Sequence, residues 1–292
     1  MLSKRDPASF ISAHIHSTSI VHPRAELGSG VEIGPYCVVG ENVRIGDGTR
    51  LLANVMLNGH TIIGKQCEIH PFTVIGATSQ DKKYRGEVSH VRLGDRNIIR
   101  EFVTIHRGTG EGSDTIIGND NLLLAYVHIA HNCRIGDHVV MSNSSQLAGH
   151  VSVDDYAGIG GMVGVHQFVR IGRMSFVGGG TKLLKDVPPY FMVAGSPGSV
   201  RGLNTEGLKR RGITREAINE LKEAYRLLYR SEDRRSSAIT QLRARLTTPE
   251  GRELVDFFMR PSDRGIVSRK ATARRGASNG RAESVVDDLD ET

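Results

Sequence analysis

The chain contains no tryptophan, only three cysteines and no long apolar run. A membrane-spanning helix needs about 18 consecutive apolar residues, so the sequence predicts none. The opening residues MLSKRDPASF also lack the apolar core of a secretory signal. Three scattered cysteines exclude a disulfide framework and a zinc site of paired cysteines. These absences predict a protein of the reducing cytoplasm.

The formal net charge of +6 favours acidic partners. Nucleic acid, a phosphorylated substrate and an acidic carrier protein are the three options. Aromatic residues make up only 5% of the chain, and no known nucleic-acid-binding motif is present. The charge is therefore explained equally well without nucleic acid.

A six-residue repeat accounts for the abundant glycine and predicts the fold. Residues 31–78 divide into the blocks VEIGPY CVVGEN VRIGDG TRLLAN VMLNGH TIIGKQ CEIHPF TVIGAT, each with an aliphatic third residue. Steps of six from Ile15 to Leu183 meet Ile, Val, Leu or Met at every position except Asp81, Glu87 and Glu111. Short strands separated by tight turns fit this period. We therefore predict a mainly β fold, a parallel β-helix with three blocks in each coil.

The repeat also divides the chain into regions. Two polar stretches interrupt it, near residues 76–90 and 107–114. Helices are predicted after Thr214, over SSAITQLRARL, and from Thr248-Pro249. The polar, charged end is predicted to be disordered. The expected regions are an N-terminal extension (1–13), a β-helix (14–190), an irregular connector with a small α-helical C-terminal domain (191–261) and a tail (262–292).

Two histidines in AYVHIAHNC (125–133) are placed by the repeat. Ile129 is an interior position, so His128 faces outward and His131 lies near the next corner. A step of 18 residues moves one coil, about 4.8 Å, along the prism. Such steps place a row on one edge: His131, Gly149, His150, His166 and Gln167. One edge makes a poor pocket, so we expect a homo-oligomer, and three-fold symmetry suits a triangular prism.

Metal binding is one alternative for these histidines. Hexapeptide-repeat carbonic anhydrases bind zinc or iron through histidines of neighbouring coils and subunits, with a pair five residues apart on one strand. Here His128 and His131 are three apart, and no third histidine stands in register. The sequence therefore predicts no metal site.

Several segments carry a more specific resemblance. They are LNGHT (57–61), SQDKKYRGE (79–87), IREFVTIHRGT (99–109), VHIAHNC (127–133), LAGHVSVDDYAGIGGMVGVHQF (147–168) and NTEGLKRRG (204–212). Together with the repeat they resemble the UDP-N-acetylglucosamine O-acyltransferase family, which opens lipid A biosynthesis. The resemblance covers roughly residues 14–260 and implies that the β-helix is left-handed.

The resemblance implies transfer of a 3-hydroxyacyl chain from acyl carrier protein to the 3-hydroxyl of UDP-N-acetylglucosamine, without a metal, cofactor or covalent acyl-enzyme. His131 would be the general base, and the backbone N–H of Gly149 would stabilise the oxyanion. Gly179 matches a position that limits acyl length, and a glycine would leave room for a longer chain. Substrate-binding roles would fall to Asp81, Lys83, His128, His150, Gln167, Asn204, Glu206, Arg210 and Arg211.

One departure and several alternatives remain open at this point. Relatives often carry Asp after the catalytic histidine, whereas this chain has Asn132, which offers a hydrogen bond but no charge.

The alternatives are the N-acyltransferase of the same pathway, a short-chain acetyltransferase that uses coenzyme A, and a non-enzymatic β-helix binding protein. The N-acyltransferase typically has a uridine-binding domain before its β-helix, and the residues before Ile15 leave no room for one.

Overall fold

The computed structural model describes residues 12–231 and 234–269. Within them, short strands wind into a parallel β-helix. Its strands follow in chain order: β1 His14–Ile15, β2 Ile20–Val21, β3 Glu26–Leu27, β4 Glu32–Ile33, β5 Val38–Val39, β6 Val43–Ile45, β7 Arg50–Leu51, β8 Met56–Leu57, β9 His60–Ile63, β10 Glu68–Ile69, β11 Val74–Ala77, β12 His90–Leu93, β13 Ile98–Ile99, β14 Thr104–His106, β15 Asp114–Ile117, β16 Leu122–Leu123, β17 His128–Ile129, β18 Arg134–Ile135, β19 Val140–Met141, β20 Gln146–Leu147, β21 Ser152–Val153, β22 Gly158–Ile159, β23 Gly164–Val165, β24 Arg170–Ile171, β25 Phe176–Val177 and β26 Lys182–Leu183.

The strands form three faces of a prism. Face A contains every third strand from β1 to β25, face B those from β2 to β26, and face C those from β3 to β24. Neighbouring strands on a face pair in parallel one coil apart, as His14 does with Glu32. Across the two insertions the pairing spans more chain: Glu68 pairs with Ile98, and Ile98 with Leu122. The insertions therefore leave the register of the prism intact, as predicted.

The repeat positions fill the interior of the prism. The aliphatic third residues of the blocks are buried from Ile33 to Leu183, whereas Ile15 in the first coil is 42% exposed. First residues such as Cys37 and Thr49 are buried as well, and the Thr49 hydroxyl donates to the Gly64 carbonyl (2.8 Å). Burying each large aliphatic side chain contributes about 1.5–3 kcal/mol. The hydrophobic repeat therefore both specifies and stabilises the coils.

The three edges of the prism are rows of corner residues. Many corners hold a non-glycine residue with positive φ, for example His150 and Tyr156 (both 61°). Corners one coil apart lie above one another, so their side chains stack. We name each edge by the faces that it joins. Edge AB carries Tyr36, Asn54, Phe72, Phe102, Tyr126, Ser144 and Met162; edge BC carries Asn132, His150 and Phe168; edge CA carries Gln66, Arg96, Asp120, His138, Tyr156 and Met174.

The connector is ordered, so the prediction of an irregular segment was wrong. Strands β27 (Phe191–Ala194) and β28 (Ser199–Leu203) pair as an antiparallel hairpin, and β27 extends face A beside β25. Phe191 and Val193 are buried in it. The Pro- and Gly-rich segment thus contains the turn between two strands and is not irregular.

Four helices follow in the described residues: α1 Thr205–Arg210, α2 Arg215–Tyr229, α3 Arg235–Arg245 and α4 Pro249–Met259. The sequence indicated all but α1. Thr214 caps α2 by accepting from the Ala217 N–H, and Thr248 caps α4 in the same way. No helix among the described residues is long and apolar enough to cross a membrane.

Disorder from residue 262 onward was predicted, and this is wrong for residues 262–269. Val267 is buried, and its N–H donates to the Asp186 carbonyl (2.9 Å). The Asp186 N–H in turn donates to the carbonyl of Gly265 (2.9 Å). This backbone pairing at the end of the β-helix is not visible in a polar sequence. The rest of the predicted tail, and residues 1–11 of the extension, lie outside the described residues.

Candidate active site

A cleft of about 890 Å³ lies along edge BC, beside β17, β20 and β23. It contains seven of the eight site residues that the sequence predicted on the β-helix and in its first insertion. These are Asp81, Lys83, His128, His131, Gly149, His150 and Gln167. The step of 18 residues therefore locates this row correctly.

The ring of His131 is oriented by the next residue. The Asn132 Oδ1 atom lies 2.9 Å from Nδ1 of His131 and also accepts from the Thr109 N–H (2.9 Å). The Asn132 amide nitrogen donates to the Thr109 carbonyl (3.2 Å), which fixes the direction of the amide. Because Oδ1 only accepts, Nδ1 of His131 carries the proton and Nε2 keeps its lone pair. The site thus holds a histidine with Nε2 ready to take a proton.

The two insertions bring Asp81 to this ring. The Asp81 Oδ2 atom lies 3.9 Å from Nε2 of His131. Ser79 and Thr109 join the insertions through their hydroxyls (2.6 Å), and the Glu87 carboxylate accepts from the Gly110 N–H (2.7 Å). Asp81 therefore occupies a fixed place above edge BC, with its carboxylate close to Nε2 of His131.

Gly149 lies directly against the His131 ring. A Cβ atom at this position would lie 2.4 Å from both Cε1 and Nε2 of His131. The His150 ring meets the His131 ring edge-on at 5.2 Å, and Phe168 stacks on His150 at 4.6 Å. The glycine is therefore required by the close approach of backbone to imidazole.

His128 is neutral at ordinary pH. Burial, together with the charges of His106 and His131, lowers the pKa of His128 to about 4. Its Nδ1 atom forms a hydrogen bond with the Thr104 hydroxyl (2.8 Å). A neutral imidazole in this place can offer a hydrogen bond to a ligand without adding charge to the cleft.

We predict that His128 makes the fold sensitive to acid. An unfolded histidine titrates near 6.5, so the unfolded chain binds more protons than the folded one between pH 6.5 and about 4. The free energy of unfolding should fall as the pH drops through this window. His128→Gln should reduce the fall, which urea unfolding at about pH 7.5 and about pH 5 measures. A variant with the full wild-type pH dependence would contradict this assignment.

The cysteines are unsuited to nucleophilic chemistry. Cys37, Cys67 and Cys133 are buried in the prism, and burial raises the pKa of Cys133 to about 12. In the described part of the chain, no three His, Cys, Asp or Glu side chains are arranged to hold a metal ion.

The other four predicted binding residues occupy a second cleft, of about 740 Å³, on face A near edge CA: Asn204, Glu206, Arg210 and Arg211. Asn204 caps α1 through the Gly207 N–H and donates to the Met174 carbonyl (2.9 Å). Glu206 pairs with Lys209 (3.2 Å). Arg210 and Arg211 are exposed. Within one chain, the two predicted halves of the site are separate.

Gly179 lies outside the linings of both clefts. It is exposed at edge AB, where a Cβ atom would lie 3.2 Å from the Gly161 carbonyl oxygen. Gly179 can therefore limit acyl length, as predicted, only if the acyl chain runs from the first cleft to edge AB.

Sequence reasoning missed several residues that line the clefts. The first cleft also contains Thr109, Gln146, Phe168 and Lys182, and the second contains His138, Tyr156 and Phe176. A step of 18 from His128 reaches Gln146, and the same step from His150 reaches Phe168. The signal that found His131, Gly149 and Gln167 would have found these two as well.

A parallel β-helix of six-residue repeats with a row of histidines along one edge is the architecture of a hexapeptide-repeat acyltransferase. The hexapeptide family of bacterial transferases (six repeats) matches residues 12–47, 42–77 and 114–149. The family described as UDP-N-acetylglucosamine O-acyltransferase, domain 2, matches residues 186–267. This chain belongs to the UDP-N-acetylglucosamine O-acyltransferase family, as the following relatives show.

The acyl-[acyl-carrier-protein]–UDP-N-acetylglucosamine O-acyltransferase of Thermodesulfovibrio yellowstonii is 48% identical over 255 residues, which are 86% of this chain and 98% of the relative. The structure of the Francisella novicida UDP-N-acetylglucosamine acyltransferase is 41% identical with a TM-score of 0.84, covering 87% of this chain and 94% of that one. The Arabidopsis enzyme is 36% identical with a TM-score of 0.79, at 87% and 99% coverage. The predicted left-handed β-helix and acyltransferase class are confirmed.

Proposed function

We propose that this chain transfers a 3-hydroxyacyl group from acyl carrier protein to the 3-hydroxyl of UDP-N-acetylglucosamine, the first step of lipid A biosynthesis. The observation that carries the proposal is the oriented His131, whose free Nε2 faces a cleft beside Asp81. The names of the relatives supply the substrates. The buried thiols suit the cytoplasm, where we expect the reaction to occur.

The proposed chemistry is one direct transfer. The Nε2 atom of His131 takes the proton of the sugar hydroxyl while the oxygen attacks the thioester carbonyl. The backbone N–H of Gly149 stabilises the oxyanion, and Asn132 and Asp81 stabilise the imidazolium. The intermediate then collapses, the C–S bond breaks, and the thiolate takes the proton from the imidazolium. No metal, cofactor or acyl-enzyme takes part.

The remaining predicted residues would bind the two substrates. Asp81 and Lys83 would contact the sugar or phosphate, and His128, His150 and Gln167 would hold the sugar nucleotide and donor near the base. Arg210 and Arg211 would pair with the diphosphate oxygens, which suit guanidinium forks. Asn204 and Glu206 would contact the uridine, although both already make the bonds around α1 described above.

We infer that the two clefts join in a homotrimer with edge AB at its axis. Phe72 stacks on Phe102 at 5.0 Å and Phe102 on Tyr126 at 4.8 Å, yet the three rings are 51%, 42% and 55% exposed. Such an apolar ridge is typical of an interface. With this edge at the axis, face B of each subunit would meet face A of the next. The first cleft opens on face B and the second on face A, so the subunits would complete each site.

Phe102→Asp is expected to dissociate the trimer and abolish most activity. Aspartate tolerates the positive φ of this corner (60°), so the fold should survive, while three charges would meet at the axis. Sedimentation velocity would measure the subunit state, and an acyl-transfer assay the activity. Gln66→Asp makes the same kind of change at edge CA and should alter neither. A trimeric, active Phe102→Asp protein would disprove the arrangement.

The proposed function is tested with purified protein and a ladder of 3-hydroxyacyl carrier proteins, with either UDP-N-acetylglucosamine or the 3-O-acylated glucosamine nucleotide as the acceptor. Ester formation at the sugar would establish the reaction. A preference for long chains would support the role of Gly179, and a preference for short chains would refute it. Transfer only to the amine of the acylated glucosamine nucleotide would instead identify the N-acyltransferase. No transfer by folded protein would favour a non-enzymatic binding protein.

A further inference from the structure

A continuous row of side chains climbs edge CA into the second cleft. Arg96 makes two hydrogen bonds with the Asp120 carboxylate (both 2.7 Å), and Asp120 lies 4.0 Å from Nε2 of His138. The His138 ring stacks on Tyr156, with the centroids 4.6 Å apart and the planes 8° from parallel. The row ends on Arg211, whose guanidinium carbon lies 4.2 Å from the centroid of the Tyr156 ring.

The contact between the Arg211 guanidinium and the Tyr156 ring restrains a flexible side chain. Arg211 is exposed, and nothing about its position at the end of α1 by itself restrains a long side chain. A guanidinium over an aromatic face at this distance is held by both charge and stacking. The Tyr156 ring is itself held by the His138 ring. The row thus supplies a rigid support for one of the two adjacent arginines.

We propose that Tyr156 is a positioning residue, which holds Arg211 in the geometry that binds the diphosphate of the sugar nucleotide. This inference rests on the proposed function. Arg210 has no such ring contact among the described residues, so the two arginines are not equivalent. Arg211 is pre-organised and Arg210 is adaptable. Losing the ring should weaken binding of the nucleotide without touching the reacting atoms near His131.

The test compares Tyr156→Asn with Tyr156→Phe in the acyl-transfer assay. Asparagine tolerates the positive φ of Tyr156 (61°) and already occupies the corner at Asn132, so it should fold. Tyr156→Asn should raise KM for UDP-N-acetylglucosamine by about 3- to 30-fold, the usual range for a guanidinium–ring contact, with kcat changed little. Tyr156→Phe keeps the ring and should retain the wild-type KM.

A double-mutant cycle with Arg211→Ala separates positioning from general damage to the fold. The effect of Tyr156→Asn should largely disappear once Arg211 is gone. Unchanged KM in Tyr156→Asn, or an equal rise in the Arg211→Ala background, would overturn the proposal. Equal damage from Tyr156→Phe would overturn it too, because the hydroxyl rather than the ring would then be responsible. Failure of the wild type to transfer acyl groups would instead refute the proposed function itself.

Discussion

Replacing His131 with alanine is expected to lower kcat by about 10²- to 10⁴-fold, the usual contribution of a general base. The reason is geometric. Asn132 holds Nδ1 in its protonated form, so Nε2 is the basic atom directed at the cleft. Alanine removes this atom but leaves the substrate-binding residues in place. The KM for UDP-N-acetylglucosamine should therefore change far less than kcat.

The measurement is steady-state acyl transfer with circular dichroism and thermal unfolding as checks on the fold. His16→Ala is a matched control, because His16 is exposed on the first coil and its ring bonds only locally, to Thr18 among the described residues. That variant should retain wild-type rates. A folded His131→Ala protein with more than about a tenth of the wild-type kcat would show that another group takes the proton.

The fold was predictable because the residues that repeat in the sequence are the residues that pack in the interior. An aliphatic residue in every sixth position can be buried only if the chain turns with that period, and the structure buries these positions from Ile33 to Leu183. The same arithmetic placed His131, Gly149 and Gln167 on one edge. In a regular backbone, the number of residues between two positions determines the distance between them. The positions of these residues in the first cleft could therefore be predicted from the sequence.

Features that depend on irregular backbone could not be predicted in this way. The hairpin of β27 and β28, helix α1 and the strand-like pairing of residues 262–269 have no period. The role of Asn132 could not be predicted either, because it depends on Thr109 in the second insertion. The Asn132 side chain accepts from the Thr109 N–H and donates to the Thr109 carbonyl. An aspartate at this position would place a carboxylate oxygen against the Thr109 carbonyl. The structure thus explains why an amide suits this chain.

The division of the site between two faces has a physical consequence for catalysis. The proposed base lies on a rigid edge, whereas Arg210 and Arg211 lie at the end of α1, which directly follows the hairpin. If the subunits join as proposed, nucleotide binding depends on the interface and proton transfer does not. Substitutions at edge AB that weaken the trimer without dissociating it, unlike Phe102→Asp, should then raise KM and lower the trimer stability together. Substitution of His131 itself should instead lower kcat with far less effect on KM.

Gly149→Ala is expected to lower kcat by about 100-fold while leaving the protein folded. The new methyl group would lie 2.4 Å from Cε1 and Nε2 of His131, and atoms that are not bonded cannot approach so closely. The imidazole must therefore rotate away, because Gly149 belongs to the rigid backbone of the prism. Displacing a reacting group by about 1 Å typically costs about 10²-fold in rate. The rotation would also break the bond from Nδ1 to Asn132 that fixes the tautomer.

Acyl-transfer kinetics and a crystal structure of the Gly149→Ala protein would test this directly, since the structure should show the His131 ring displaced. Gly202→Ala is the matched control: a Cβ atom at that residue would meet no atom within 4 Å, so neither rate nor fold should change. Wild-type kcat with an unmoved ring would mean that the backbone yields instead of the imidazole. Wild-type kcat with a displaced ring would show that the position of His131 does not limit the reaction, and its assignment as the base would fail.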